Sequence, residues 1–209
     1  MKRRVAFFLL AHCLALAAVT SAAQTVYSNG PINGNVDAFT INFGFIVSDT
    51  FNVSNNNTTI SGLSFGAWLT PGDTLTSADV SITSEENGGL SFFEGTVNFA
   101  QSDCVTNLFG FDVCKETGTF FGPNLSSGTY WLNLQNAVVS NGDPTFWDQN
   151  SGPSGASQNG VGSIPSEAFT VLGSATSTST TSSVPEPSSI MLLGTGVFGL
   201  ASLIRRKLF

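Results

Sequence analysis

Histidine and positive charge are what this chain has least of. One His, His12, and seven Lys and Arg stand in 209 residues. Six of those seven cations crowd the two ends: Lys2, Arg3, Arg4, Arg205, Arg206 and Lys207. Between the ends there is only Lys115, with no His and no Arg. Ser-His-Asp and Cys-His catalysis are thereby excluded from the central segment, as are the usual catalytic zinc sites. No Arg is present there to clamp a phosphate or carboxylate. No Gly-rich phosphate loop follows a strand and opens a helix. Against its single Lys, the segment Gln24 to Ser183 sets thirteen of the chain's fourteen Asp and Glu, a formal charge of −12. Such a surface repels nucleic-acid phosphates and anionic lipid, so nucleic acid is excluded as a partner.

The ends carry a different chemistry. Lys2-Arg3-Arg4 precedes an apolar run from Val5 to Val19, and Ser21-Ala22-Ala23 supplies small residues before Gln24. That order predicts a secretory signal peptide over 1–23, cleaved after Ala23 by signal peptidase after passage through the Sec translocon. A retained anchor is the alternative. Leu10-Ala11-His12-Cys13 partly matches a lipidation box, but His12 stands where a small residue is expected.

At the other end, Val184-Pro185-Glu186-Pro187-Ser188-Ser189 leads into the apolar run Ile190 to Ile204, followed by Arg205-Arg206-Lys207-Leu208-Phe209. The two prolines remove backbone donors and hold their neighbours extended, and Ser188 or Ser189 can cap a helix behind them. A helix over 190–204 reaches about 22 Å, short of a span of roughly 20 residues, a gap that a thin membrane, local thinning or snorkelling by the flanking Arg and Lys can bridge. Its basic end stays cytoplasmic by the positive-inside rule. The Pro-Glu-Pro motif, single apolar helix and basic cluster over 184–209 resemble the PEP-CTERM sorting signal. The resemblance implies an exosortase-type processing enzyme as partner and an inner-membrane-anchored precursor. The mature body would lie in the periplasm, on the outer surface or in the extracellular matrix. A plain C-terminal anchor helix shares this topology and differs only in keeping the tail.

The body is one domain's worth of chain. Seventeen Phe and Trp residues between Phe39 and Phe169 have to be buried, which excludes a disordered chain. Their neighbours alternate. Leu63, Phe65, Ala67 and Leu69 share a face, as do Phe93, Val97 and Phe99, while Tyr130, Leu132 and Leu134 oppose Trp131, Asn133 and Gln135. Period two over short runs predicts half-buried strands. Turn residues punctuate them at 28–31, 55–57, 71–73, 86–89, 126–128 and 140–144. No window reads as an amphipathic helix. The expected fold is all-β: an antiparallel, jelly-roll-like β-sandwich over 24–173 between an N-terminal signal helix and a C-terminal transmembrane helix. Ser174 to Ser183 is Ser, Thr and Ala alone, which predicts a flexible linker over 174–183. Such a stretch is also a candidate for O-linked sugar.

Cys104 and Cys114 remain after signal removal, and an even pair in an exported chain predicts a disulfide. Leu108-Phe109-Gly110-Phe111 between them suits a hairpin turn. Carboxylates are what remains for catalysis, with Glu85, Glu86, Glu94, Glu116, Asp143 and Asp148 as candidates for a glycosidase pair. Surface solvation explains the same residues. Asn141-Gly142-Asp143 and Asp148-Gln149-Asn150-Ser151-Gly152 offer oxygen ligands for calcium through Asp143, Asp148 and Asn150, although Asx-turns need no ion. No other cofactor is expected. The stretch from Gly128 to Ala137 and on to Gly152 resembles a segment of exported PEP-CTERM proteins with β-sandwich bodies and no agreed activity. Trp131 and Trp147 suit stacking on sugar rings or packing between strands. The sequence thus predicts a non-enzymatic envelope or biofilm protein, with an exopolysaccharide-binding module as the alternative.

Overall fold

The computed structural model describes residues 23–175. The signal segment before Ala23, the sorting motif Val184 to Pro187, the apolar run 190–204 and the basic residues Arg205, Arg206 and Lys207 lie outside the described residues.

Thirteen strands and no helix make up the described residues. In chain order they are β1 (Gln24–Ser28), β2 (Ala38–Thr40), β3 (Ile46–Val53), β4 (Thr58–Leu69), β5 (Leu75–Glu85), β6 (Gly88–Thr106) and β7 (Asp112–Thr119). There follow β8 (Asn124–Leu125), β9 (Gly128–Val139), β10 (Phe146–Asp148), β11 (Ala156–Gln158), β12 (Gly162–Ile164) and β13 (Phe169–Ala175). Every pairing is antiparallel. The hydrogen-bonded path runs β1-β13-β4-β7-β6-β5-β9-β3-β11-β12, with β2, β8 and β10 attached at its side.

The all-β, antiparallel class read from the sequence is what these residues form. The arrangement is one continuous curved sheet, a half-barrel, and the pairing does not establish a two-sheet jelly roll. Continuity comes from β6, which is 19 residues long. Its first half pairs with β5, from Glu85↔Gly88 to Ser77↔Asn98. Its second half pairs with β7, from Phe99↔Gly118 to Thr106↔Asp112. One strand therefore belongs to both sectors of the sheet. No alternation pattern announces this, because period two fixes which face a residue takes and not which neighbour it meets.

The alternating apolar residues meet inside the curve. Leu63, Phe65, Ala67 and Leu69 of β4 are all buried, with Tyr130, Leu132 and Leu134 of β9 and Val47, Phe51 and Val53 of β3. Phe65 stands edge-on to Phe99 at 5.3 Å and to Trp147 at 5.9 Å, and Trp147 is edge-on to Phe169 at 5.5 Å. Such T-shaped pairs add roughly 1 kcal/mol each to their area burial. Two turns sit where the sequence placed them and use Asn in the left-handed region: Asn57 (φ 56°) before β4 and Asn87 (φ 45°) between β5 and β6. The last strand extends two residues into the segment read as linker. Ser174 and Ala175 pair with Thr59 and Thr58, so backbone hydrogen bonding outweighs their linker-like composition.

Cys104 and Cys114 are bonded, with sulfurs 2.08 Å apart, across the β6–β7 hairpin. Asn107 closes that hairpin: its backbone N–H donates to the Phe111 carbonyl at 2.8 Å, and its side-chain oxygen accepts from Phe109 and Phe111 N–H. Reduction with a thiol, or Cys104→Ser, is expected to lower the unfolding free energy by about 2–3 kcal/mol through the freed loop. Urea unfolding with and without reductant measures this; identical midpoints would show that the hairpin is held without the bond.

Candidate functional site

Two regions collect the polar side chains that the sequence singled out. The first is the outer face of β3, β9 and β5. Trp131 of β9 lies opposite Thr50 of β3 and Thr83 of β5, and it is half-buried. One row over, Ser48, Asn133 and Ser81 stand side by side, extended by Ser157 on β11 and Glu94 on β6. Asn133 ties the row together. Its oxygen accepts from Ser48 Oγ at 2.6 Å and from Asn87 N at 3.1 Å, and its amide nitrogen donates to Ser81 Oγ and Thr83 Oγ1 at 3.0 Å each. With every polar atom partnered, Asn133 is buried although the alternation put it on the solvent side. The result is a hydrogen-bonded polar floor beside one accessible indole.

Trp147 is no such platform. It is fully buried among Phe65 and Phe169, and its indole N–H donates to the Ala168 carbonyl at 3.0 Å. Of the two tryptophans read as sugar-stacking candidates, only Trp131 can meet a ligand.

The second region closes one end of the core, where the chain after β1, the chain around β10 and the chain before β13 converge. Asp148 and Asn150 are both here, and neither is the exposed loop ligand that their spacing suggested. Asp148 is fully buried and accepts from Asn33 N (2.8 Å), Gly34 N (3.0 Å) and Trp68 Nε1 (2.7 Å). Asn150 donates to the Asn29 carbonyl at 2.7 Å and accepts from Gly152 N and Ser166 Oγ. Gly152 is required: a Cβ there would overlap the Asn29 carbonyl and crowd Ser166 Oγ. Asp143 stays half-exposed on its own turn, where its backbone carbonyl accepts from Asn42 Nδ2. The three candidate calcium ligands therefore do not share a site, and among the described residues no three His, Cys, Asp or Glu converge on a metal position.

Sequence reasoning missed Asn29, Asp49, Ser154, Ser166 and Glu167. Asp49 lies between Val47 and Phe51 in the alternation of β3, so it points into the core. Its Oδ2 accepts from Glu167 N at 2.7 Å and from Asn29 Nδ2 at 3.3 Å, while Oδ1 has no partner. Glu167 is fully buried with both carboxylate oxygens unpartnered. The signal was present at Asp49, where a charge occupies an inward position of a strand. Nothing local marks Glu167.

Burial governs the ionisation of these groups. It pushes Asp49 up to about 6 and Glu116 up to about 7. Glu167 is raised well above its ordinary value by burial and then by the like charges of Asp49, Asp148 and Asp37. Burial also raises Asp148, against the opposing pull of its three donors. Glu85, Glu86 and Glu94 are exposed, as surface solvation requires. Glu116 is not: it points into the core on β7, opposite Gln101 of β6, with both oxygens unpartnered.

A carboxyl raised on folding stabilises the folded chain least when ionised. The Glu116 contribution is complete below the ordinary 4.5, declines as pH rises, and is lost above about 7. Glu116→Gln is therefore expected to match wild type near pH 4 and to exceed it at pH 8 by on the order of 2 kcal/mol. Thermal melts across that range decide it; a constant offset at all pH values would show that Glu116 does not titrate there. Asp148→Ala is expected to destabilise by about 2–4 kcal/mol, because it strands three buried donors. Denaturant unfolding measures that loss.

Comparison with known proteins bears on the tail and not on the body. No curated protein matches the chain. Residues 183–207 match the model of the PEP-CTERM protein-sorting motif, which covers Val184 to Pro187, the apolar run and the basic residues to Lys207. The chain therefore carries a PEP-CTERM sorting signal and is an exported, membrane-passing exosortase substrate with an all-β body of unassigned activity.

Proposed function

We propose that this protein is a non-enzymatic component of the cell surface or extracellular matrix, delivered by its tail and acting through its folded body. The observation that carries the reading is the sorting motif at 183–207. The body adds support. Its most perturbed carboxylates, Asp49, Glu116, Asp148 and Glu167, are buried, away from solvent where a substrate would bind. A groove of about 440 Å³ between residues 32–35 and the β6–β7 hairpin has Asp103 as its only acidic lining residue. A glycosidase needs two facing carboxylates. The jelly-roll-like sandwich reading rests on Tyr27 of β1 meeting Phe51 of β3 ring to ring at 6.3 Å, across the core between two sectors of the sheet.

In this reading the Sec translocon and signal peptidase release the body at Gln24, and the helix 190–204 holds it at the membrane until the exosortase acts. Intact mass and fractionation in the host, with Pro187→Ala alongside, test it. Wild type is expected to begin at Gln24 and end near Pro185–Pro187, outside the inner membrane. Pro187→Ala is expected to retain the residues to Phe209 and stay membrane-bound. Wild type ending at Phe209 in the inner membrane overturns the reading in favour of a plain anchor.

One observation favours a more specific role. Trp131 stands accessible beside the polar floor of Ser48, Asn133 and Ser81. That row satisfies its own hydrogen bonds and holds the strand rigid under the indole, and a half-exposed aromatic face so held suits stacking on a pyranose ring. The second reading is thus an exopolysaccharide-binding module. Trp131→Ala is expected to weaken binding to the host's own polysaccharide at least tenfold and leave the melting temperature within a few degrees. Equal retention of both proteins on the immobilised polysaccharide would sink it.

A further inference from the structure

The outward face of β4 carries small side chains where its neighbours carry larger ones. Gly62, Ser64 and Gly66 follow one another on that face, beside Thr117 and Lys115 of β7 and Thr170 and Leu172 of β13. A groove of about 370 Å³ lies over Ser64, bounded by residues 30–32 of the covering chain and by Leu172. Its floor is a row of hydroxyls. Thr170 pairs with Ser64 and Ser64 with Thr117, so the three stand side by side on adjacent strands. All three line the groove, and their hydroxyls have no hydrogen-bond partner among the described residues. Adjacent strands lie about 4.8 Å apart, so the row spans about 10 Å, the length of a disaccharide.

Lys115 flanks this row. It shares the outward face of β7 with Thr117 and lies opposite Gly66, which has no side chain to cover it. It is exposed, and it is the only Lys or Arg among the described residues. No Asp or Glu lines the groove. Glu116, between Lys115 and Thr117 in the chain, points into the core. Asp148, near Gly66, is buried and already holds three donors. Asp103 lines the neighbouring groove instead. In a segment with thirteen Asp and Glu, the single basic side chain thus stands at an acid-free concavity. An anion is attracted there and repelled by the rest of the body.

We propose that this groove holds one uronate unit of an otherwise neutral polysaccharide, with its carboxylate on the Lys115 ammonium and its ring hydroxyls on Thr117, Ser64 and Thr170. The inference rests on the exopolysaccharide-binding reading and places the contact on the outer face of β4, apart from Trp131. Each hydroxyl of the row both donates and accepts, as sugar hydroxyls do. Lysine meets a carboxylate as a compact charge with three donors. The net charge of the body opposes a densely charged polyanion, so the acidic unit is an isolated one among neutral sugars.

Full-length protein in detergent is titrated calorimetrically with a trisaccharide that carries one glucuronate, and with the same trisaccharide carrying glucose in its place. The glucuronate form is expected to bind one saturable site at least tenfold more tightly than the neutral form, and more weakly as salt rises. Lys115→Gln is expected to remove that preference without shifting the melting temperature, and Lys115→Arg to retain most of it. Leu108→Ala, in the neighbouring groove, is expected to bind as wild type does. No saturable binding of the glucuronate form overturns the proposal. Equal binding of the two trisaccharides, unchanged in Lys115→Gln, overturns the choice of an acidic sugar. Binding that survives in Lys115→Gln and disappears in Trp131→Ala overturns the groove and leaves the exopolysaccharide reading standing on Trp131.

Discussion

Strand β4 is buried on both faces, and most of the architecture follows from that. Its inward face carries Leu63, Phe65, Ala67 and Leu69, which the curve of the sheet encloses. Its outward face carries Ser64 and Trp68, also buried, so another layer has to lie over them. Ile32 and Asp148 provide it: a Cβ on Gly66 would meet both at 2.8 Å, so only glycine lets the covering chain approach so closely. Covering a strand with irregular chain brings backbone N–H groups into a dry place, where each needs an acceptor. Asp148 meets that need for Asn33 and Gly34, and it takes the Trp68 indole as well. One carboxylate thus licenses the packing of a loop, a strand and a tryptophan.

The same chain is very poor in cations, and this shapes its interior as much as its surface. With Lys115 alone among the described residues, buried acids cannot be neutralised by ion pairs. Three outcomes are visible. Asp148 is compensated by donors from backbone and indole. Glu116 sits in the core opposite Gln101 and is raised to about 7, so much of it is neutral at physiological pH. Asp49 and Glu167 are buried with carboxylate oxygens left without a partner, and burial raises both. The stability of this body is therefore tied to pH, and it declines as the medium moves from acid to neutral.

For a protein sorted by a PEP-CTERM signal, such a body has a suitable physical character. Its net negative charge repels like-charged surfaces. The cross-linked hairpin opposes unfolding of the exported body. The row of Ser48, Asn133 and Ser81 fixes the sheet face on which Trp131 stands half-exposed.

The sequence by itself determined the all-β class, the positions of several turns, the disulfide and the sorting signal. Each of these is local: alternation at period two in β4 and β9, Asn at 57 and 87 where the backbone turns left-handed, two cysteines spanning one hairpin, and a contiguous tail motif. The fates of Trp147, Asp148, Asn150 and Glu116 were not legible, because each depends on which distant segment covers it. Trp147 resembled Trp131 in the sequence and differs only in having Phe65 and Phe169 on its faces. Asp148 resembled a loop ligand until Asn33, Gly34 and Trp68, between 80 and 115 residues away along the chain, closed over it. Likewise the union of both sheet sectors through β6 came from pairing partners rather than from pattern. Only the tertiary structure decided these, since burial and hydrogen-bond supply are properties of the neighbours that folding brings together, and alternation along a strand names a face without naming what lies against it.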